Sequence, residues 1–304
     1  MKTLHYTLVD VFTNKPFGGN QLAVFHGTTM LNEETMQKIA RELNLSETVF
    51  ILPPNNNDKI ARLKIFTPKV ELPMAGHPTI GAAYVLAKTN IIETIEGENQ
   101  WIFEEGIGDV PVTVWKKDGQ ITKVEMEQPL PNFGDKFVDT QMAAKLLSLS
   151  VKELHTTLPI QTVSSGVPFL FIPVSSISSI KNIRFRTDIW DQYFSTNQNT
   201  MHIFTFSLET EAPHSSVHSR MFAPAMGIAE DPATGAASGP LGAYLVKYGA
   251  IQAIDQENYF IRSEQGFEIQ RPSHIDISIH ANPDIKRVKV GGKSVIIGSG
   301  QLSV

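Results

Sequence analysis

Residues 65–88 read IFTPKVELPMAGHPTIGAAYVLAK, and residues 221–249 read MFAPAMGIAEDPATGAASGPLGAYLVKYG. Each stretch begins with Phe-x-Pro (Phe66/Pro68 and Phe222/Pro224) and reaches a proline flanked by glycine and small residues. Each then runs into a small-residue apolar segment with a tyrosine near its end, Tyr84 or Tyr244. The two lie about 155 residues apart in a chain of 304, so the expectation is one fold used twice and facing itself. A ligand between two such halves is gripped symmetrically.

The runs AAYVLA and LGAYLV are apolar on nearly every face, which predicts buried helices rather than amphipathic surface ones. Pro78 and Pro232 fit the first helical position, where a missing N–H costs nothing. His77 and Asp231 then fall at or beside the N-caps. Each helix offers first-turn N–H groups and a positive dipole end at the same place. Two such ends facing one cleft suit a small anion, most simply a carboxylate.

Composition removes several classes of function. The chain has a formal charge of −5 and no Lys/Arg run, so nucleic acid is not an expected partner. It contains no cysteine, which excludes disulfides, thiolate metal sites and thiol acid–base groups. No window approaches a membrane span. The N-terminal segment alternates polar His5, Thr7 and Asp10 with apolar residues like a strand, not like a signal peptide, so a cytoplasmic protein is expected.

The pattern between the repeats predicts many strands with one strong helix per half. Residues 4–12 and 20–25 read as strands around Gly18-Gly19. Residues 33–44 carry Met36, Ile39, Ala40 and Leu43 at helical spacing, and 46–52 read as a strand. The second half follows the same order: SSGVPFLFIPV (164–174) stands where GGNQLAVF (19–26) does, and HIFTFSL (202–208) precedes the second repeat. The fold class expected is α+β, two pseudo-symmetric β-barrel-like domains each wrapped around a central helix. Pro129 and Pro131 suggest a division into 1–128 and 129–304, with the last strands able to pack back on the first domain.

The residues that could do chemistry are few. Asp231 precedes a proline and could be a plain cap, but Gly235-Ala236-Ala237 beside it lets a ligand approach the backbone. His77 is a poor cap and stands between Gly76 and Pro78. Glu47 could be a solvated strand-end carboxylate, yet a cleft without cysteine needs a proton carrier, and a partly buried glutamate can serve. Asn20 could bind a ligand or serve the Gly18-Gly19 turn. His214-x-x-x-His218 has metal-compatible spacing but no neighbouring acid, and no metal site is assigned. Gly292-Lys293-Ser294 imitates a phosphate loop without its leading glycine, since position 287 is Arg287.

Taken together, VDVFTNKPFGGNQLAV (9–24), LSETVFI (45–51), FTPKVELPMAGHPTIGAA (66–83), EEGIGDVPV (104–112) and RMFAPAMGIAEDPATGAASGP (220–240) resemble the PhzF-like family of phenazine-biosynthesis-type isomerases. That family is related in fold to diaminopimelate epimerase. The resemblance implies a homodimer that needs no metal or organic cofactor, with its active site between the two halves. It places the family's catalytic glutamate on Glu47, its AGHP histidine on His77 and its EDPATG aspartate on Asp231. Gly76 and Gly235 match positions whose backbone contacts the substrate. Two positions depart from the family pattern: Gln21 stands where proline is usual, and Ala236 where serine is. The missing hydroxyl argues for a ligand other than the dihydro-hydroxyanthranilate of the phenazine pathway.

The expected activity is cofactor-independent isomerisation of a small carboxylate, with Glu47 removing a proton and returning it elsewhere. Asn20, Gly76, His77, Asp231, Gly235 and Ala236 are the expected substrate-binding residues. Related epimerases use one thiol from each half to invert a centre. Here there are no thiols, and Glu47 has no evident twin, which favours a same-face proton shift. Epimerisation or racemisation of an amino acid, with Asp231 or His77 as second carrier, and non-catalytic carboxylate binding are the alternatives.

Overall fold

The computed structural model describes residues 3–27 and 31–304, which form two compact units. Unit 1 comprises Met1–Glu127 and Val290–Val304, and unit 2 comprises Gln128–Lys289. The last strand pairs along the whole of the first, from Thr3↔Ser303 to Val11↔Ser294, and so falls in unit 1.

Unit 1 contains β1 (Thr3–Val11), β2 (Asn20–Phe25), α1 (Glu33–Leu43), β3 (Glu47–Leu52) and β4 (Ala61–Phe66). It continues through β5 (Glu71–Leu72), α2 (Gly76–Lys88), β6 (Gly97–Glu105), β7 (Gly108–Lys117) and β8 (Gln120–Gln128). Unit 2 contains β9 (Asn132–Lys136), α3 (Thr140–Leu146), β10 (Gln161–Ser164), β11 (Pro168–Pro173), α4 (Ile177–Lys181) and α5 (Thr187–Tyr193). It continues through β12 (Ile203–Ser207), β13 (Val217–Ala223), β14 (Ile228–Asp231), α6 (Gly235–Lys247), β15 (Asn258–Gln265), β16 (Ser273–Ala281) and β17 (Ile285–Gly292), whose residues from Val290 on count with unit 1. The closing strand, β18 (Ser294–Ser303), belongs to unit 1.

The same succession of pairings builds both units. In unit 1, β18/β1 and β1/β2 are antiparallel, β2/β3 parallel, β3/β4 antiparallel, β4/β6 parallel and β6/β7 antiparallel. In unit 2, β9/β10 and β10/β11 are antiparallel, β11/β12 parallel, β12/β13 antiparallel, β13/β15 parallel and β15/β16 antiparallel. Ladder position therefore identifies equivalent residues independently of sequence likeness.

The two kinds of helix differ as their sequences require. α1 is amphipathic: Asn32 caps it by accepting from Thr35 N–H at 2.9 Å, Glu33 and Glu34 occupy its first turn, and left-handed Asn44 ends it. It buries Met36, Ile39 and Ala40 against Phe25, Phe50 and Phe66. By contrast α2 is buried from Gly76 to Ala87, and most of α6 is buried as well. Small residues set that close packing. A Cβ on Gly81 would stand 2.5 Å from Leu22 Cδ2, and one on Gly242 would stand 2.6 Å from Ile277 Cγ2. The short helices α3 and α4, capped by Asp139 and Ser176, carry too few turns to show a helical period in the sequence. No helix among the described residues is long and apolar enough to cross a membrane.

Candidate active site

The start of α2 gathers three ionisable side chains of unit 1. Glu47, the first residue of β3, lies beside Leu22 in the parallel β2/β3 ladder. Its carboxylate Oε2 is 2.9 Å from His77 Nδ1, and both side chains are buried. His77 is the second residue of α2, after Gly76, whose N-cap is Ala75. Pro78 thus sits third rather than first in the helix. The position tolerates it because the N–H groups of the first turn have no intrahelical acceptor.

Thr79, one turn into α2, brings in a residue that sequence reasoning missed. Its hydroxyl is 2.7 Å from Ala75 O and 2.6 Å from Glu105 Oε1. A hydroxyl has one proton to give. If it goes to Ala75 O, the hydrogen bond to Glu105 must be donated by a protonated carboxyl. Burial pushes the Glu105 pKa up to about 8 even where the Thr79 hydroxyl is turned to donate to the carboxylate, so Glu105 is largely a neutral acid at pH 7 in either arrangement.

The start of α6 in unit 2 is built alike and finished differently. Its N-cap is Thr234, so Asp231 is not the cap but the last residue of β14, four residues before Gly235. The Asp231 carboxylate accepts the Thr234 hydroxyl at 2.6 Å. The amide of fully buried Gln265 donates to Asp231 O at 2.7 Å and to Thr234 Oγ1 at 2.9 Å, and accepts from Thr234 N–H at 3.2 Å. Ser238 returns its hydroxyl to Thr234 O at 2.8 Å, as Thr79 approaches Ala75 O.

These contacts correct the register of the repeat. A Cβ on Gly106 would meet Pro73 Cα at 2.8 Å, and one on Gly266 would meet Pro232 O at 2.5 Å and Pro232 Cα at 3.1 Å. Pro73 therefore matches Pro232, Gly76 matches Gly235 and Thr79 matches Ser238, a constant spacing of 159 residues. His77 is the counterpart of Ala236, not of Asp231, and the counterpart of Asp231 is Leu72. The true signal is Glu-x-Pro-x-x-Gly, 71–76 and 230–235, together with Glu104-Glu105-Gly106 and Glu264-Gln265-Gly266. The latter pair would have brought Glu105 forward as the acidic version of a glutamine.

The remaining candidates are placed as follows. Asn20 opens β2, fully buried and opposite Val11, behind Gly19, whose φ of +64° and approach to Val11 O leave no room for a Cβ. His214 is exposed, while buried His218 is held by Glu264 at 2.7 Å and Glu268 at 2.9 Å. Burial works against the charged ring, but the two carboxylates outweigh it and raise its pKa to about 9. Both ring nitrogens are thereby taken, and among the described residues no group of three or more His, Asp or Glu side chains is arranged so that it could hold a metal ion. Glu264 also accepts the N–H groups of Glu211 and Ala212. In unit 1, Glu104 accepts those of Asn55 and Asn56 in the same way.

Known proteins are similar to this chain over nearly its whole length. The phenazine biosynthesis-like protein family matches residues 9–300. A trans-2,3-dihydro-3-hydroxyanthranilate isomerase of Pseudomonas chlororaphis is 33% identical over 300 residues, covering 98% of this chain and 99% of that one. A PhzF-family phenazine biosynthesis protein of Bacillus anthracis has a solved structure that matches with a TM-score of 0.90 at 27% identity, over 100% of both chains. A hydroxyproline epimerase of Agrobacterium vitis, 12% identical, matches with a TM-score of 0.68 over 99% of this chain and 91% of that one, a likeness of fold alone. The fold is the diaminopimelate epimerase-like one that the family resemblance implies.

Proposed function

The chain belongs to the phenazine biosynthesis-like family and is an isomerase, and from that premise we propose that Glu47 alone carries a proton between two carbons of a small carboxylate substrate. The observation that carries this reading is the buried contact of 2.9 Å between Glu47 and His77 at the start of α2. An imidazole N–H donated to Oε2 fixes the carboxylate and leaves Oε1 to act on the substrate. Glu47 takes a proton from a carbon made acidic by an adjacent unsaturated or carboxylate group. The electron pair of the broken C–H bond spreads into that group, and the same carboxyl returns the proton to a second carbon on the same face. The double bond moves, and no electrons leave the substrate.

Asn20, Gly76 and His77 in unit 1, with Asp231, Gly235 and Ala236 in unit 2, are the proposed binding residues. First-turn N–H groups suit a carboxylate or the charge that develops on an enolate. The Pseudomonas chlororaphis relative is named for an unsaturated hydroxy amino carboxylate. Ala236 and Gln21 favour a related carboxylate with different polar contacts.

Incubation in D2O with trans-2,3-dihydro-3-hydroxyanthranilate and a panel of unsaturated amino carboxylates tests the reading. Deuterium entering at one carbon, and lost in Glu47→Gln, is the expected result. Label entering equally in Glu47→Gln overturns the role of Glu47.

A further inference from the structure

The strand ladders identify a counterpart of Glu47 in unit 2. Thr48 stands opposite Phe66 in β3/β4, and Glu47 precedes it. Ile203 stands opposite Phe222 in β12/β13, and the residue preceding it is His202. His202 therefore holds in unit 2 the position that Glu47 holds in unit 1.

His202 lies one residue before β12, and the Leu170 N–H donated to its carbonyl at 2.8 Å continues the β11/β12 ladder to it, so side-chain alternation gives the face on which it lies. Ile203 packs outward, in the cluster with Ile189, Trp190 and Phe194. Phe206 points the other way, with its ring 5.6 Å from that of Tyr244 in α6, and His202 shares its face. Four strand residues separate Phe206 from His202, roughly 13 Å. Tyr244 and the Gly235-Ala236 pair are eight or nine helical residues apart, also roughly 13 Å. The two lengths match, and by the duplicated topology, in which Glu47 meets the first turn of α2, we infer that His202 lies toward the first turn of α6.

What differs is the partner. Glu47 meets His77, but the counterpart of His77 is Ala236, which offers no hydrogen bond. His202 is only 6% exposed, and its Nδ1 has no hydrogen-bond partner among the described residues. Its ring lies 5.9 Å from that of Phe169. Burial lowers its pKa to about 4, so the ring is neutral at pH 7. A buried polar atom left without a partner costs stability, and such atoms persist where a ligand completes them.

We propose that His202 is a substrate-binding residue, its neutral imidazole donating Nδ1–H to a carboxylate oxygen of the substrate held at the N-terminus of α6. The assignment rests on the isomerase reading above and gives unit 2 a binding role at the position where unit 1 has its base. The ring contributes a neutral donor, and the Gly235 and Ala236 N–H groups contribute the positive helix end.

The test is an NMR titration of the full chain, labelled with ¹⁵N-histidine, with 2-aminobenzoate. This probe is a planar amino carboxylate without the acidic C–H, so binding is seen apart from turnover. The His202 ring signals, assigned by their absence from His202→Asn, are expected to move on saturation. His202→Leu weakens binding about tenfold, the worth of one neutral hydrogen bond. His202→Asn, whose amide nitrogen can take the place of Nδ1, restores most of the affinity. If His202→Leu does not fold, the ring signals of the natural chain still decide. Movement of the His77 signals without those of His202, or binding by His202→Leu equal to the natural chain, overturns the proposal alone. Silence of both rings also overturns it. It does so alone where deuterium exchange depends on Glu47, and together with the isomerase reading where exchange is absent.

Discussion

At the start of α2 the Thr79 hydroxyl lies between Ala75 O and a buried acid, Glu105; at the start of α6 the Ser238 hydroxyl bonds Thr234 O, and the neutral amide Gln265 fills the acid's place. In both, a proline lies against a glycine from the neighbouring strand end, Pro73 on Gly106 and Pro232 on Gly266. The scaffold positions are shared, and the chemistry is not. Unit 1 has the carboxylate–imidazole pair Glu47–His77, where unit 2 has His202 and Ala236. Unit 2 has the Asp231 carboxylate, where unit 1 has Leu72. A duplicated backbone therefore carries a carboxylate–imidazole pair at the start of the central helix in unit 1 and an Asp–Thr pair at the matching place in unit 2, and the proposed division of proton transfer and binding rests on that difference. The glutamine in place of Glu105 also teaches something: a site that accepts an uncharged amide is one in which the acid is held uncharged.

The comparison can be broken most forcefully at the carboxylates. Glu47→Gln should lower the rate of deuterium exchange by about 10²–10⁴-fold, the usual worth of general acid–base catalysis, whereas Asp231→Asn should cost only about tenfold. Equal losses would mean that both units carry protons.

The acid–amide pair is tested by stability against pH. Below pH 4.5 both folded and unfolded chains hold the Glu105 proton. Between 4.5 and about 8 only the folded chain does, so rising pH favours unfolding until the folded state also ionises. Glu105→Gln should remove that slope, a relative gain of up to about 4 kcal/mol at pH 8. Urea unfolding at pH 5 and pH 8 measures it, and an unchanged slope would show Glu105 to be ionised in the folded chain.

The glycines that hold the prolines should also differ. Gly266 has φ of +79° and its added Cβ would meet carbonyl oxygen, so Gly266→Ala should cost about 3 kcal/mol. Gly106→Ala would also meet the Pro73 backbone, its Cα at 2.8 Å and its carbonyl oxygen at 2.9 Å, but without the positive φ it should cost less, about 1–2 kcal/mol by the same urea midpoints. The smallest difference concerns the returned hydroxyls. Thr79→Val strands Glu105 and should cost about 1–2 kcal/mol, while Ser238→Ala should cost about 0.5 kcal/mol.

Much of this was legible in the sequence. The apolar character of both central helices, the Phe-x-Pro openings and the amphipathic period of α1 all led to elements that exist. Gly76, His77 and Gly235 do stand in the first turns of the helices, whereas Asp231 and Pro232 precede the Thr234 cap. The register between the halves was read wrongly by five residues, because His-Pro and Asp-Pro look alike. The turn at Pro224–Met226, ending in left-handed Gly227, lengthens the second repeat and conceals the Glu-x-Pro-x-x-Gly match. Glu105 and His202 stayed hidden for another reason. Each matters through partners far away in the chain, or through the lack of one, and only strand pairing reveals either.

The central claim is that one carboxyl in unit 1 moves the proton while unit 2 binds. It is tested most directly with a substrate deuterated at the acidic carbon, turned over in H2O, with the label followed by NMR. Carriage by Glu47 alone predicts that part of the label reappears at the second carbon of the product, and that this fraction persists in Asp231→Asn. Complete loss of label to solvent, with inversion at the original carbon and dependence on Asp231, would contradict it.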